Sequence, residues 1–156
     1  MELFLVRHAI AEPYAPGRAD QARALTPEGR ARFQRCVAGL ERLGVELDLL
    51  LHSPLVRAVQ TADELSRLLV GESRVTPALA EPPTAGLLDG VRGAESAALV
   101  GHEPWMSDLL GLCLGGGAAP LPVAYKKGAV AWLRGEPTPG ALELVAFLPP
   151  RVLVKL

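Results

Sequence analysis

Two apolar runs in the sequence lead directly into residues that could do chemistry. Leu3 to Val6 is followed by Arg7 and His8, and a second run, Ser96 to Val100, leads to His102. Runs of this kind are typical of strands buried on both faces of a parallel sheet. In such sheets the ligand crevice lies just outside the carboxyl ends of the strands, so we expect these side chains to reach one crevice.

Another arginine lies near the predicted start of a helix. Ser53 and Pro54 follow the apolar run Leu47 to Leu51, and they are typical of a helix cap and a first helical position. Arg57 would then lie in the first turn, where the helix dipole disfavours a cation unless an anion is beside it. A phosphate there would be bound by the arginine fork and by free backbone N–H groups together.

Two arginines and two histidines in one crevice indicate phosphoryl transfer. The guanidinium groups of Arg7 and Arg57 match the charge and geometry of a phosphoryl dianion, and one histidine can be the nucleophile while the other stabilises charge. Neither a glycine-rich loop ending in lysine and serine nor a carboxylate cage for Mg²⁺ is visible. We therefore expect a metal-independent reaction through a covalent phosphohistidine, without a cofactor. A zinc site among the three histidines is disfavoured because the arginines would repel the cation.

The charge of the chain is nearly balanced. Sixteen basic and 17 acidic residues give a formal net charge of −1, and 49% of the 156 residues are hydrophobic. This size and apolar content predict a single domain, residues 1–156. The balance gives no attraction for nucleic acid or for an anionic membrane, so any anion site must be local. Without a leader-like start or an apolar run long enough to cross a bilayer, we expect a cytoplasmic protein. We also expect a monomer.

The elements that must position the site alternate between strand and helix. Thr26 and Pro27 predict the start of a helix that ends near Leu43, before Gly44. The remaining predictions are a helix from Ser53 to Leu69, a strand around Arg74 to Leu79, a helical piece near Leu87 to Val91, a helix from Trp105 to the glycines 115–117, and strands at Ala129 to Leu133 and Leu142 to Leu148. This order predicts an α/β fold, a three-layer α/β/α sandwich with a mostly parallel central sheet and an antiparallel edge.

Three motifs in this order resemble the histidine phosphatase superfamily, which has the phosphoglycerate mutase-like fold. They are Leu5-Val6-Arg7-His8-Ala9, Ser53-Pro54-Leu55-Val56-Arg57-Ala58-Val59-Gln60-Thr61-Ala62 and Gly101-His102. The short chain, His102-Glu103-Pro104 and Lys126-Lys127-Gly128-Ala129 make it resemble the small SixA-type phosphohistidine phosphatases most. The resemblance implies that His8 is the nucleophile and that Arg7, Arg57 and His102 form the phosphate pocket. Ser53 is a further candidate for substrate contact.

Two positions bear on how far this resemblance extends. The family commonly has glycine after the nucleophile, where this chain has Ala9, and we expect the added Cβ to be tolerated. Glu81 is the only candidate for an acid that protonates the leaving group, and the SixA type often lacks this acid. Imidazole, with a pKa of about 6.5, leaves readily and can be protonated beforehand, whereas a sugar alkoxide needs a proton. Weak placement of an acid therefore favours phosphohistidine in a protein as the substrate.

Alternatives remain open for the function and for several residues. The chain could instead hydrolyse small phosphorylated metabolites such as sugar phosphates, or bind phosphoryl groups without catalysis, although the intact His8 argues against the latter. Glu81 has the alternative of being a plain loop carboxylate, and we expect His52 to be a hydrogen-bonded structural residue. Lys126 and Lys127 predict a solvated strand entrance, with the alternative that they rim the site and attract an acidic protein. Cys36 and Cys113 are expected to be buried free thiols.

Overall fold

Strand β1 (Glu2–Arg7) lies inside the sheet, as its apolar sequence predicts. In the computed structural model, which describes residues 1–156, Leu3 and Leu5 pack into one apolar core while Phe4 and Val6 pack into another. All four are at most 3% exposed. A strand with apolar side chains at both odd and even positions buries them only if helices cover both faces of the sheet. The fold meets this requirement with a core on each face.

The other strands and the helices follow the predicted order closely. The strands are β2 (Leu47–His52), β3 (Leu69–Val75), β4 (Ser96–Gly101), β5 (Val130–Gly135) and β6 (Leu142–Leu148). The helices are α1 (Pro27–Arg42), α2 (Val56–Leu65), α3 (Ala85–Asp89), α4 (Trp105–Gly115) and α5 (Pro150–Leu153). Short 3₁₀ turns lie at Asp20–Ala22, Ser66–Leu68 and Pro77–Ala80. None of the helices is long and apolar enough to cross a membrane.

The six strands form one sheet in the order β3-β2-β4-β1-β5-β6. The pairs β2–β3, β2–β4 and β1–β4 are parallel, whereas β1–β5 and β5–β6 are antiparallel. Helices α1, α2 and α5 contribute to the core on one face, and α3 and α4 contribute to the core on the other. This confirms the three-layer α/β/α sandwich with a mostly parallel sheet and an antiparallel edge. Cys36 and Cys113 are buried and free in opposite cores, as expected.

The boundaries of α1 show why its termini could be predicted. The side chain of Thr26 accepts a hydrogen bond from the backbone N–H of Gly29 at 2.9 Å, and Pro27 occupies the first helical position. At the other end Gly44 has φ +77°, the left-handed conformation that glycine adopts without a steric penalty. Both helix signals act through local backbone geometry, so they are readable from sequence alone.

The prediction for the third strand was wrong in position. The sequence predicted a helix as far as Leu69 and a strand at Arg74 to Leu79, but α2 ends at Leu65 and β3 already spans Leu69–Val75. Strand β3 is at the sheet edge and is almost wholly exposed, so it lacks the apolar pattern that marks a buried strand. Gly71 lies within this strand because a Cβ there would stand 1.8 Å from the carbonyl oxygen of Asp48.

The prediction that Ser53 caps the second helix was also wrong. Helix α2 begins at Val56, and its cap residue, Leu55, makes no side-chain capping hydrogen bond. Arg57 nevertheless lies in the first turn, as predicted. The terminal helix α5, opened by Pro150, was not predicted because a single turn carries too few residues to show a period.

Candidate active site

The register of the sheet brings His8 and His102 together. In the parallel pair β1–β4, Arg7 lies opposite Gly101, so the residues that follow them leave the sheet side by side. The two imidazole rings have centroids 5.1 Å apart at an interplanar angle of 49°. Each histidine is only 4% exposed. The carboxyl ends of β1 and β4 therefore form the crevice that the sequence predicted.

His8 is held in one tautomer by its own backbone neighbourhood. Its Nδ1 lies 2.7 Å from the carbonyl oxygen of Ala9, which can only accept, so we assign the ring proton to Nδ1. Burial, together with the charges of His102, Arg57 and Arg7, lowers the pKa of His8 to about 3, although the Ala9 bond acts in the opposite direction. The ring is thus neutral at pH 7, and the lone pair of Nε2 is free for nucleophilic attack.

A short hydrogen-bond chain fixes the proton of His102. The backbone N–H of Leu55 donates to Ser53 Oγ at 3.2 Å, which leaves the Ser53 hydroxyl proton to be donated to His102 Nε2, 2.7 Å away. Burial lowers the pKa of His102 to about 4, with Arg57 adding to the effect, so the ring is neutral at pH 7. Its single proton is then on Nδ1, which points to a donor role for that atom. Ser53 is fully buried and acts on His102.

Arg7 is anchored by the segment that precedes β5. Its Nη1 donates to the carbonyl oxygen of Tyr125 at 2.6 Å. The backbone N–H of Gly128 donates to the carbonyl oxygens of Arg7 and His8, at 3.0 and 3.1 Å. Gly128 has φ +81°, a conformation that a side chain would strain, so the glycine of the Lys126 to Ala129 stretch serves to clamp the end of β1.

Arg57 is 6% exposed and is oriented by a residue of the long loop after β1. Its Nη1 donates to the carbonyl oxygen of Asp20 at 3.0 Å, and its Nη2 donates to Asp20 Oδ2 at 3.2 Å. The neighbouring Arg23 also pairs with Asp20, and both arginines hold the pKa of that carboxyl below its usual range. Asp20 therefore fixes the plane of the Arg57 guanidinium, and the Nε of Arg57 remains available to another acceptor.

Thr61 connects the backbone that follows His8 to the helix that carries Arg57. Its hydroxyl donates to the carbonyl oxygen of Arg57 at 2.7 Å and accepts from the backbone N–H of Ala9 at 3.0 Å. Ala9 is 2% exposed, and its φ is not positive. The backbone after His8 therefore does not require glycine, which agrees with the expectation that the Cβ is tolerated.

Three donors of this crevice have no partner in the protein. Among residues 1–156, the buried side-chain nitrogen and oxygen atoms without a hydrogen bond are Arg7 Nε, Arg57 Nε and His102 Nδ1. Buried donors are paired in almost all native structures, so three unpaired ones around one site indicate room for an acceptor. With two guanidinium charges beside them, the acceptor that fits is an anion with several oxygens.

The other residues singled out from the sequence differ in their exposure and in their contacts with this centre. Glu81 is exposed after the turn Pro77–Ala80 and borders the same small crevice as His102. Lys127 is half-buried, and burial together with Arg7, Arg23 and Arg57 lowers its pKa, whereas Lys126 is exposed. His52 is half-buried, and its Nδ1 lies 3.0 Å from the carbonyl oxygen of Ser53, which is a structural contact as expected.

Three residues that shape the site were missed by the sequence analysis. Thr61 belongs to the motif that begins at Ser53. It lies one helical turn after Arg57, and this spacing was a signal that its hydroxyl could donate to the Arg57 carbonyl oxygen. Asp20 lies in a loop without periodicity, and Tyr125 acts through its backbone carbonyl, so neither gave a signal in its residue type.

Comparison with known proteins agrees with this geometry. The family model of the histidine phosphatase superfamily, branch 1, matches residues 3–115. An uncharacterized protein of a Picosynechococcus species is 36% identical over 67% of this chain and 67% of its own length.

Solved structures extend the similarity to almost the whole chain. The protein histidine phosphatase SixA, solved with tungstate, is 25% identical with a TM-score of 0.81, covering 97% of this chain and 98% of that one. The SixA protein of Agrobacterium tumefaciens is 26% identical with a TM-score of 0.79, covering 96% and 97%. An alpha-ribazole phosphatase from Shigella flexneri, at 18% identity and a TM-score of 0.71 over 96% and 97%, shares the fold. The motifs, the fold and the family match lead to one conclusion: this chain belongs to the histidine phosphatase superfamily.

Proposed function

We propose that residues 1–156 act as one metal-independent phosphatase domain that removes phosphoryl groups from phosphohistidine in proteins through a covalent intermediate on His8. The observation that carries the proposal is the set of three unpaired donors, on Arg7, Arg57 and His102, beside an imidazole whose Nε2 is free. The likeness to a SixA protein that binds tungstate, a tetrahedral oxyanion, supports a phosphoryl group as the ligand.

In the first step His8 Nε2 attacks the phosphorus atom of the substrate. A nitrogen–phosphorus bond forms on His8, and the bond to the leaving group breaks with its electron pair going to the leaving group. Arg7, Arg57 and the Nδ1–H of His102 donate to the phosphoryl oxygens as charge builds on them. His8 keeps its Nδ1 proton and becomes a cationic phosphohistidine, and the 2.7 Å bond to the carbonyl of Ala9 stabilises this cation.

In the second step water replaces His8 on phosphorus. The oxygen of water bonds to phosphorus while the His8 nitrogen–phosphorus bond breaks, the electron pair of that bond returns to Nε2, and both water protons stay on oxygen atoms of the phosphate product. Inorganic phosphate leaves, and the neutral ring is restored with its proton still on Nδ1. The low pKa of His8, about 3, helps this step because the buried neutral ring is a good leaving group.

The leaving group distinguishes the two enzymatic candidates. A phosphohistidine imidazole that is already protonated on its second nitrogen leaves as neutral imidazole without an acid from the enzyme. A sugar alkoxide must gain a proton as it leaves, and Glu81 is the carboxylate that borders the His102 crevice. Its exposed position and lack of a hydrogen bond favour the phosphohistidine reaction, whereas its nearness to His102 keeps phosphomonoester hydrolysis as the second candidate.

Substituting Glu81 separates these candidates. We expect Glu81→Gln to leave kcat/KM on a phosphohistidine-bearing protein near the parent value, with poor activity of both proteins on an alkyl phosphate. Glu46→Gln, an exposed carboxylate before β2, is the matched control for the loss of one negative charge. Efficient alkyl-phosphate hydrolysis that drops about 10²–10⁴-fold in Glu81→Gln but not in Glu46→Gln would make the phosphomonoesterase the better assignment.

A further inference from the structure

A large groove shares Arg7 with the proposed phosphate site. It has a volume of about 890 Å³, and Arg7 is one of its lining residues. Its other walls come from α1, from the segment before β5, and from the turn between β6 and α5. A phosphoryl group needs only the small donor cluster at His8, so the mechanism leaves most of this groove unused.

The groove carries positive charge that the protein does not neutralise. Five cations line it, and no carboxylate does; they are Arg7, Arg32, Lys126, Lys127 and Arg151. None of the five pairs with a carboxylate, whereas eight arginines elsewhere in the chain do. The chain as a whole has a formal charge of −1, so this face differs in sign from the whole molecule. Such a local field attracts a negatively charged partner.

The floor of the groove is apolar. Ile10, Val123, Phe147 and Pro149 line the groove together with the cations and are each half-buried. We propose that the groove binds an acidic segment of the phosphorylated protein, with carboxylates facing Arg32, Lys126 and Arg151 and an apolar side chain on the floor. The choice of a protein substrate rests on the function proposed above. The segment would lie beside the phosphohistidine as His8 attacks it.

The distribution of the cations favours a protein segment over a small polyanion. A second phosphate is normally bound by donors that converge on one point, including backbone N–H groups. Here Arg32 lies on α1, Arg151 lies on α5 and Lys126 lies in the segment before β5, and all three side chains are exposed. Exposed cations from three parts of the chain, in a groove that is also lined by apolar side chains, match a peptide that carries several carboxylates and an apolar residue.

The test reverses charge in the groove and compares substrates that differ only in flanking charge. The variant is Arg32→Glu/Arg151→Glu, and the matched control is Arg35→Glu/Lys155→Glu, which changes the same charge on α1 and just beyond α5 at exposed residues outside the groove. The substrates are two phosphohistidine peptides of equal length, one with glutamates and a leucine beside the phosphohistidine and one with glutamines replacing the glutamates. Free phosphohistidine reports on the catalytic site alone.

We expect the parent to prefer the glutamate peptide about tenfold or more in kcat/KM, mainly through KM. The groove variant should lose this preference and keep its activity on free phosphohistidine, whereas the control variant should keep the preference. The preference should also vanish in about 1 M NaCl, where the Debye length is about 3 Å. Arg32→Gln/Arg151→Gln, a milder change, should lie between parent and charge reversal.

Binding separates this inference from the proposed function. The unphosphorylated glutamate peptide, measured by fluorescence anisotropy on the His8→Ala protein, should bind more tightly than the glutamine peptide, whatever the chemistry at His8. Such binding, combined with a parent protein that hydrolyses neither phosphopeptide, would overturn the proposed function and keep the groove assignment. Equal kcat/KM and equal binding for both peptides would overturn the groove assignment alone. Dependence on Arg32 and Arg151 for a hexose bisphosphate, but not for the peptides, would also overturn it in favour of a small polyanion.

Discussion

Acidification should destabilise this protein through two buried histidines. Both His8 and His102 are 4% exposed, with pKa values of about 3 and about 4, far below the value of about 6.5 for an unfolded chain. Between the folded-state and unfolded-state pKa values, the histidines bind protons in the unfolded state but not in the folded state. The free energy of unfolding therefore falls as the pH decreases. The stabilisation is complete above pH 6.5 and is lost progressively below it.

Between its two pKa values, each histidine changes the free energy of unfolding by about 1.36 kcal/mol per pH unit. From pH 7 to pH 5 each histidine should remove about 2 kcal/mol, or nearly 4 kcal/mol together, which is a large part of the stability of a typical domain. Urea unfolding at pH 7, 6 and 5, in buffers free of phosphate and other oxyanions, measures the change. His8→Asn should remove about half of the pH dependence, and His8→Asn/His102→Asn should remove nearly all of it. A stability that stays flat from pH 7 to pH 5, or an unchanged slope in the double variant, would refute the neutral, desolvated histidine pair.

Two further substitutions test the phosphate pocket. Arg57→Lys keeps the charge but loses the planar fork that Asp20 orients, so kcat/KM should fall at least about a hundredfold, or about 2.7 kcal/mol; retained activity would place Arg57 outside the pocket. Ser53→Ala removes the donor to His102 Nε2 and leaves the N–H of Leu55 without its partner, so unfolding should become about 1–3 kcal/mol easier. It should also lower kcat/KM about tenfold in the folded enzyme, and a stability loss with unchanged kcat/KM would show that Ser53 has only a structural role.

The sequence predicted that the residues after β1 and β4 lie together, because strong local signals surround them. The apolar run of β1 and the arginine and histidine after it are explained by one arrangement, a buried parallel strand that ends at a crevice. The cap of α1 at Thr26 was readable for the same reason, since its hydrogen bond joins residues three positions apart. Where sequence neighbours make the contacts, residue types and spacing suffice.

The contacts that orient Arg7 and Arg57 join residues that are far apart in the chain. Asp20 meets Arg57 across 37 positions, and the carbonyl of Tyr125 meets Arg7 across 118. No local pattern encodes such partners, and a backbone carbonyl has no signature in residue type. Ser53 was expected to cap a helix because its local context suits a cap, but the register of β2 beside β4 places it next to His102 instead. The exposed strand β3 was misplaced because an edge strand carries little apolar signal.

Trapping the phosphorylated enzyme tests the central claim most directly. The parent protein is mixed with a phosphohistidine-bearing protein, quenched in denaturant within milliseconds to seconds, kept at alkaline pH and analysed by peptide mass spectrometry. We predict an acid-labile phosphoryl group on the peptide that contains His8, located on His8 itself, and none in His8→Ala, which should still bind vanadate through Arg7, Arg57 and His102. Phosphate on His102, or continued turnover by His8→Ala, would contradict the covalent role of His8.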